Sequence, residues 1–350
     1  MDDINIDELV NPFVKKLKSY SSARDEFSSN DDAYIFLDAN ENPFASDFNR
    51  YPDPHHHELR HKIAQLKGVD KDQLLLGNGS DEVIDLLMRT FCRSGQDEMI
   101  SITPTYGMYE VAADINQVKL TKVALTNDFQ PDTHQILSAV NDHTKIIFLC
   151  SPNNPTGNSL EPARILELLE KFNGLVVLDE AYVDFSIQPS MVNLLDEHQN
   201  LVLMQTFSKA YGLAGLRLGM LIAQQPIIQY ISKLKPPYNV NRFTQDKALE
   251  VLNDPKPVKE QIDIIYKEKL MLEAELPHIN WIEKCHPSDA NFILVKVDDA
   301  TKRYQQLIDN KIVVRDRSHL PKCQNCLRIS IGTPAENQHL LSTLQKLENA

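Results

Sequence analysis

The feature that most constrains this chain is a series of short, almost wholly apolar runs separated by helix-like stretches. Leu175-Val176-Val177-Leu178 and Leu201-Val202-Leu203-Met204 are apolar on both alternating faces, so each reads as a strand covered on both sides. Glu98-Met99-Ile100-Ser101-Ile102 and Lys145-Ile146-Ile147-Phe148-Leu149-Cys150 continue the series, with a shorter strand expected at Gln73-Leu74-Leu75-Leu76. Periodicity between the runs predicts helices over 58–67, 81–91 and 109–115. Strands and helices taking turns define an α/β core with a mainly parallel sheet. From about residue 226 a helical region runs towards 276, with interruptions expected at Pro236-Pro237 and at 255–257. Strand patterns at 290–297, 312–315 and 327–331 then predict a smaller α+β domain beginning near 255. At the N-terminus Ile6, Leu9, Val10, Phe13, Val14 and Leu17 predict a short amphipathic helix followed by an arm.

Charge and composition remove several function classes. Thirty-six Lys+Arg against 49 Asp+Glu leave a formal net charge of -13, which argues against a general nucleic-acid surface. No apolar run approaches the roughly 18 residues of a membrane span. The acidic start Met1-Asp2-Asp3 is unlike a secretory leader, so a cytoplasmic location is expected. Five cysteines, odd in number and mostly scattered, fit reduced thiols.

Two metal-like motifs lose weight on inspection. His57-Glu58-Leu59-Arg60-His61 has the H-E-x-x-H spacing, yet His55, His56, Arg60 and Lys62 crowd it with the character of a solvated helix start. Cys323-Gln324-Asn325-Cys326 lacks the second pair that a tetrahedral site needs. No metal is expected. Gly77-Asn78-Gly79-Ser80-Asp81-Glu82 lacks the third glycine of a dinucleotide fingerprint and the lysine of a P-loop. What it offers is a glycine turn into a helix start, where free N–H groups and the helix dipole suit a phosphate.

Three consecutive strands appear to a chemist as one device, because each delivers a reactive group to the same sheet edge. Ser151-Pro152-Asn153-Asn154-Pro155-Thr156-Gly157 leaves the strand ending at Cys150 and presents asparagine amides. Asp179-Glu180-Ala181-Tyr182 places a carboxylate at the next strand end, with a phenol three residues on. Thr206-Phe207-Ser208-Lys209 follows the third strand, and open α/β sheets bind ligands at such carboxyl ends. Desolvation there favours the neutral, nucleophilic amine of Lys209. Ser208 and Arg217 offer a hydroxyl and a guanidinium suited to a phosphate. Singly, each is a loop, a capped helix or a surface charge. Together they supply what pyridoxal phosphate requires: a lysine for its aldehyde, an acid for its pyridine nitrogen, donors for its phenolic oxygen and an anion cradle.

The order and spacing of further motifs carry a resemblance along nearly the whole chain. They are Leu37-Asp38-Ala39-Asn40-Glu41-Asn42-Pro43, Asn49-Arg50-Tyr51-Pro52, Pro104-Thr105-Tyr106-Gly107-Met108-Tyr109, and Leu327-Arg328-Ile329-Ser330-Ile331-Gly332. With the stretches above, the chain resembles the class II aminotransferases of the aspartate-aminotransferase-like fold, and within them the histidinol-phosphate branch. The resemblance implies a fold type I pyridoxal-phosphate transferase with a mainly parallel seven-stranded sheet. It also implies an N-terminal arm and small-domain segment over 1–47, a large cofactor-binding domain over 48–254 and a C-terminal small domain over 255–350. Lys209 would anchor the cofactor aldehyde, Asp179 pair with its ring nitrogen, Asn154 and Tyr182 bond its phenolic oxygen, and Tyr106 stack on its ring. Ser80, Asp81, Ser208 and Arg217 would hold its phosphate, joined by Tyr51 from a neighbouring subunit, so that a homodimer shares its active sites. Tyr20, Asn154, Arg315 and Arg328 would recognise the substrates, an amine phosphate and the 2-oxoglutarate/glutamate pair. The implied reaction is amino transfer from L-histidinol phosphate to 2-oxoglutarate. An aromatic aminotransferase and a threonine-phosphate decarboxylase remain open on this fold. A non-catalytic sensor fused to a DNA-binding module does not fit, because the N-terminal segment is short and acidic and the lysine is present.

Overall fold

The computed structural model describes residues 4–27, 34–44 and 46–347; parts of the expected N-terminal arm, 1–3, 28–33 and 45, and the last three residues lie outside it. Seven strands form one sheet: β1 (Leu74–Asn78), β2 (Glu98–Thr103), β3 (Lys119–Ala124), β4 (Thr144–Cys150), β5 (Leu175–Asp179), β6 (Leu201–Thr206) and β7 (Leu218–Ala223). Their spatial order is β1-β7-β6-β5-β4-β2-β3. Strands β3, β2, β4, β5 and β6 run parallel, and β7 runs against both of its neighbours. The mainly parallel seven-stranded sheet is the one the family resemblance implies, and it holds two strands, β3 and β7, beyond those read from apolar runs.

Two-residue alternation feeds two hydrophobic layers from the same strands. Leu175, Val177, Val202 and Met204 enter one layer with the helices Gly79–Phe91, Met108–Ile115 and Gln225–Ser232. Val176, Leu178, Leu201 and Leu203 enter the other with the helices His57–Lys67, Pro162–Lys171 and Arg242–Asn253. Each fully buried aliphatic side chain contributes about 1.5–3 kcal/mol, and β5 and β6 are buried along their whole lengths.

A second, antiparallel sheet has the order β10-β11-β9-β8, built from β8 (Ile282–Cys285), β9 (Phe292–Val297), β10 (Arg315–Asp316) and β11 (Cys326–Ser330). Helices Lys256–Glu275, Ala300–Asp309 and Pro334–Lys346 complete its core with Leu272, Leu307 and Leu344. Thr333 and Glu336 close a reciprocal cap at the start of the last helix.

Local expectations fail where context overrides pattern. The N-terminal amphipathic helix is two short ones, Ile6–Leu9 and Pro12–Lys16, because Pro12 starts a helix and cannot continue one. Ile6, Val10 and Val14 are buried, whereas Phe13 and Leu17 are exposed. The strand expected over 312–315 shrinks to β10, since pairing with β11 begins only at Arg315. The interruption expected at 255–257 is present, between the helices Arg242–Asn253 and Lys256–Glu275, and its prolines open the second helix, where their missing N–H groups have no partner to lose. No helix of the described residues is long and apolar enough to cross a membrane.

Strand direction places the site. Because β7 is antiparallel, its first residue Leu218 lies beside Asn78 at the end of β1, and Gly219 beside Thr206 at the end of β6. Cys150 at the end of β4 pairs with Asp179 at the end of β5. One edge thus gathers the segments that leave β1, β4, β5 and β6 and the one that enters β7.

Candidate active site

A cavity of about 510 Å³ opens at that edge. Ser80, Asp81, Tyr106, Asn154, Asp179, Tyr182, Ser208, Lys209 and Arg217 reach its wall from the large sheet, and Arg315 and Arg328 from the small one. Of the site residues expected from sequence, only Tyr20 and Tyr51 stand elsewhere. Tyr20 lines a separate hollow with His56 and Lys235, away from Arg315 and Arg328 of its own chain. Tyr51 stacks on Tyr238, with ring centroids 4.5 Å apart.

The phosphate-like end of the cavity is made by close backbone approach. Gly79 begins its helix at φ +79°, and a Cβ there would lie 2.6 Å from Arg217 Nη2. A Cβ on Gly219 would lie 2.4 Å from the Ser80 backbone nitrogen, so only a bare Cα lets β7 pass the helix start. Arg217 takes a left-handed conformation, φ 52°, and its Nη2 lies 3.2 Å from Asp81 Oδ2. Tyr106 Oη donates to the other Asp81 oxygen at 3.2 Å. Helix dipole, free N–H groups, two serines and a guanidinium together make an anion cradle.

On the same cavity wall, Asp179 is buried with both oxygens engaged. Oδ1 accepts the Ala181 N–H at 3.0 Å and Oδ2 the Tyr109 hydroxyl at 2.6 Å. Burial pushes its pKa up to about 6, against the pull of those two bonds. Tyr182 is buried and accepts from Asn154 Nδ2 at 3.2 Å. Lys209 Nζ stands 5.7 Å from the centre of the Tyr182 ring. Although Lys209 is reached by solvent through the cavity mouth, the protein packed around its amine lowers its pKa, and Arg328 adds to this by repulsion.

Arg315 and Arg328 sit directly opposite each other on β10 and β11. Like charges so placed repel, and burial, with Arg317 and Arg315 assisting, lowers the Arg328 pKa while Tyr182 opposes. An anion relieves both costs. Sequence reading did not single out Arg317, His319, Cys150 or Tyr109, of which the first three line the cavity. Arg317 is legible in retrospect: in extended chain it shares a side with Arg315 two residues earlier.

The sequence profile of aminotransferase class I and II matches residues 37–344. The chain belongs to the class I and II aminotransferases. This aminotransferase is 50% identical over 349 residues to a histidinol-phosphate aminotransferase of Christiangramia forsetii, covering 100% of both chains. The crystal structure of the histidinol-phosphate aminotransferase from Clostridium acetobutylicum superimposes with a TM-score of 0.80 at 26% identity, covering 87% of this chain and 92% of that one. That of Sinorhizobium meliloti, determined in complex with pyridoxal-5'-phosphate, shares the fold with a TM-score of 0.80 at 24% identity, covering 87% of this chain and 84% of that one.

Proposed function

We propose that this aminotransferase moves the amino group of L-histidinol phosphate to 2-oxoglutarate, giving imidazole acetol phosphate and L-glutamate, with pyridoxal 5'-phosphate as cofactor. The carrying observation is that Lys209, Asp179 and the Arg217 cradle share one cavity with Arg315 and Arg328. The names of the relatives support the choice of substrate.

The donor set fits the cofactor. The glycine-lined cradle of Ser80, Asp81, Ser208 and Arg217 would hold its phosphate, the Asn154–Tyr182 pair its phenolic oxygen, Asp179 its ring nitrogen and Lys209 its aldehyde. When bound, pyridoxal phosphate supplies an aldehyde that captures amines and a protonated ring that accepts electrons. The chain's own groups do the rest. Above pH about 6 Asp179 is ionised and would stabilise a proton on the cofactor's ring nitrogen. Lys209 Nζ, its charge disfavoured by crowding, would take the substrate's α-proton and hand it to the carbon that came from the cofactor aldehyde. Arg315 and Arg328 hold first the phosphate monoester and then a carboxylate of 2-oxoglutarate, since a guanidinium fork suits both anions.

The reading includes a cytoplasmic homodimer in which Tyr51 contacts the partner's cofactor phosphate, with a division at 1–47, 48–254 and 255–350. Exposed Phe48, Tyr51 and Phe243 on one hollow support a covered surface there. The test is glutamate formation from histidinol phosphate and 2-oxoglutarate by purified protein supplied with cofactor. Carbon dioxide released from threonine phosphate, without glutamate, would overturn the assignment.

A further inference from the structure

Tyr109 is bonded to Asp179 from behind the cavity wall. It stands in the first turn of the helix Met108–Ile115 and is 1% exposed. Its ring meets Tyr106 edge-on, with centroids 5.6 Å apart, and lies against Phe148 at 5.0 Å. The hydroxyl, held by this packing, donates to Asp179 Oδ2 at 2.6 Å.

We propose that Tyr109 is a positioning residue for the reaction: its buried hydroxyl keeps the Asp179 carboxylate ionised and fixed on the cavity wall, ready for the protonated ring nitrogen of the cofactor. The inference rests on the reading of Asp179 given above and adds the group that makes it work near neutral pH.

The surroundings of Asp179 explain why a donor is needed. Asp81, on the helix Gly79–Phe91, disfavours its charge and Lys209 favours it. Cys150 on β4, Tyr106 and Tyr182 face it as neutral groups, their pKa values raised chiefly by burial. Burial of the carboxyl is the leading influence, and the Tyr109 hydroxyl is the largest one opposing it, ahead of the Ala181 N–H. Without that hydroxyl the proton stays on Asp179 to higher pH, and a neutral carboxyl has no reason to pair with a protonated ring.

The test is the dissociation constant of pyridoxal phosphate across pH for the wild type, Tyr109→Phe and Asp179→Asn, with a melting curve of each cofactor-free protein to establish folding. The same cofactor titrates in all three, so differences between the curves belong to the protein. In the wild type, affinity falls below pH about 6. In Tyr109→Phe the fall moves up by about one to two pH units, the worth of a hydrogen bond to a charged acceptor. At pH 7 this variant binds about tenfold more weakly, and at pH 9 it matches the wild type. Asp179→Asn binds weakly throughout. A midpoint unmoved in Tyr109→Phe, or a loss equal at every pH, overturns the role of Tyr109, the second outcome marking a packing residue only. Wild-type affinity in Asp179→Asn overturns the reading of Asp179 itself.

Discussion

Arg328 and Asn154, 174 positions apart in sequence, meet through a 2.6 Å hydrogen bond from the guanidinium Nη1 to the amide oxygen. Asn154 passes its own N–H to Tyr182, so a cavity-lining arginine of the small sheet is wired to a phenol beside Lys209. Replacing Arg328 with Gln is expected to raise KM for both histidinol phosphate and 2-oxoglutarate by about 10- to 100-fold, the worth of a charged hydrogen bond. Lys restores only part of this because it lacks the fork. Steady-state kinetics of both half-reactions check it; a change confined to one substrate would contradict the shared-anion role.

Lys209→Ala is expected to lose at least about 10³-fold in turnover, the range of a general base. Borohydride reduction of the wild type with its cofactor is expected to fix the cofactor on the tryptic peptide that bears Lys209, as read by mass spectrometry, and Lys209→Ala should lose that label. Label on any other lysine would refute the assignment.

Asp179 makes the cofactor-free protein less stable as pH rises. Near its ordinary value of 3.8 and below, the carboxyl is largely neutral in folded and unfolded chains alike. Between there and about 6 the unfolded chain releases the proton and the folded one keeps it; above that the full cost persists. About two pH units correspond to about 3 kcal/mol as an upper figure. Cofactor-free Asp179→Asn should therefore melt a few degrees higher than wild type at pH 8, with the gap closing towards pH 4 in calorimetry.

Gly219→Ala forces a methyl to within 2.4 Å of the Ser80 backbone. Overpacking of this kind costs about 1–3 kcal/mol. Both the melting temperature and phosphate-anchored cofactor affinity are expected to fall. Gly215→Ala, with open space at its Cβ position, should leave both unchanged and serves as the control.

If sites are shared across a dimer, Tyr51→Ala and Lys209→Ala complement each other. Mixed subunits would carry one site with both residues intact, and activity should return to up to about a quarter of wild type after co-refolding. Activity no higher than the sum of the separate variants would count against sharing.

Buried strands and the groups at their ends were legible because the same residues satisfy packing and chemistry. Val176 to Leu178 announce β5, and Asp179 is simply the first residue past the apolar run. β3 was not, since Lys119, Thr121 and Lys122 on an edge strand dilute its apolar signal. Nor was β7, whose apolar residues begin inside the glycine-bearing stretch that supplies Arg217. Tyr109 is invisible for another reason: a tyrosine in an amphipathic helix looks like core until its hydroxyl partner, on a strand distant in sequence, is known.

Ownership of the two charged ends is divided. Asp179 and Lys209 are carried by one sheet and Arg315 and Arg328 by another that shares no strand with it. Changes in the short stretch around β10 can therefore alter one wall of the cavity without touching the buried strands that carry Asp179 and Lys209, whereas a change at Arg328 is felt on both walls through Asn154.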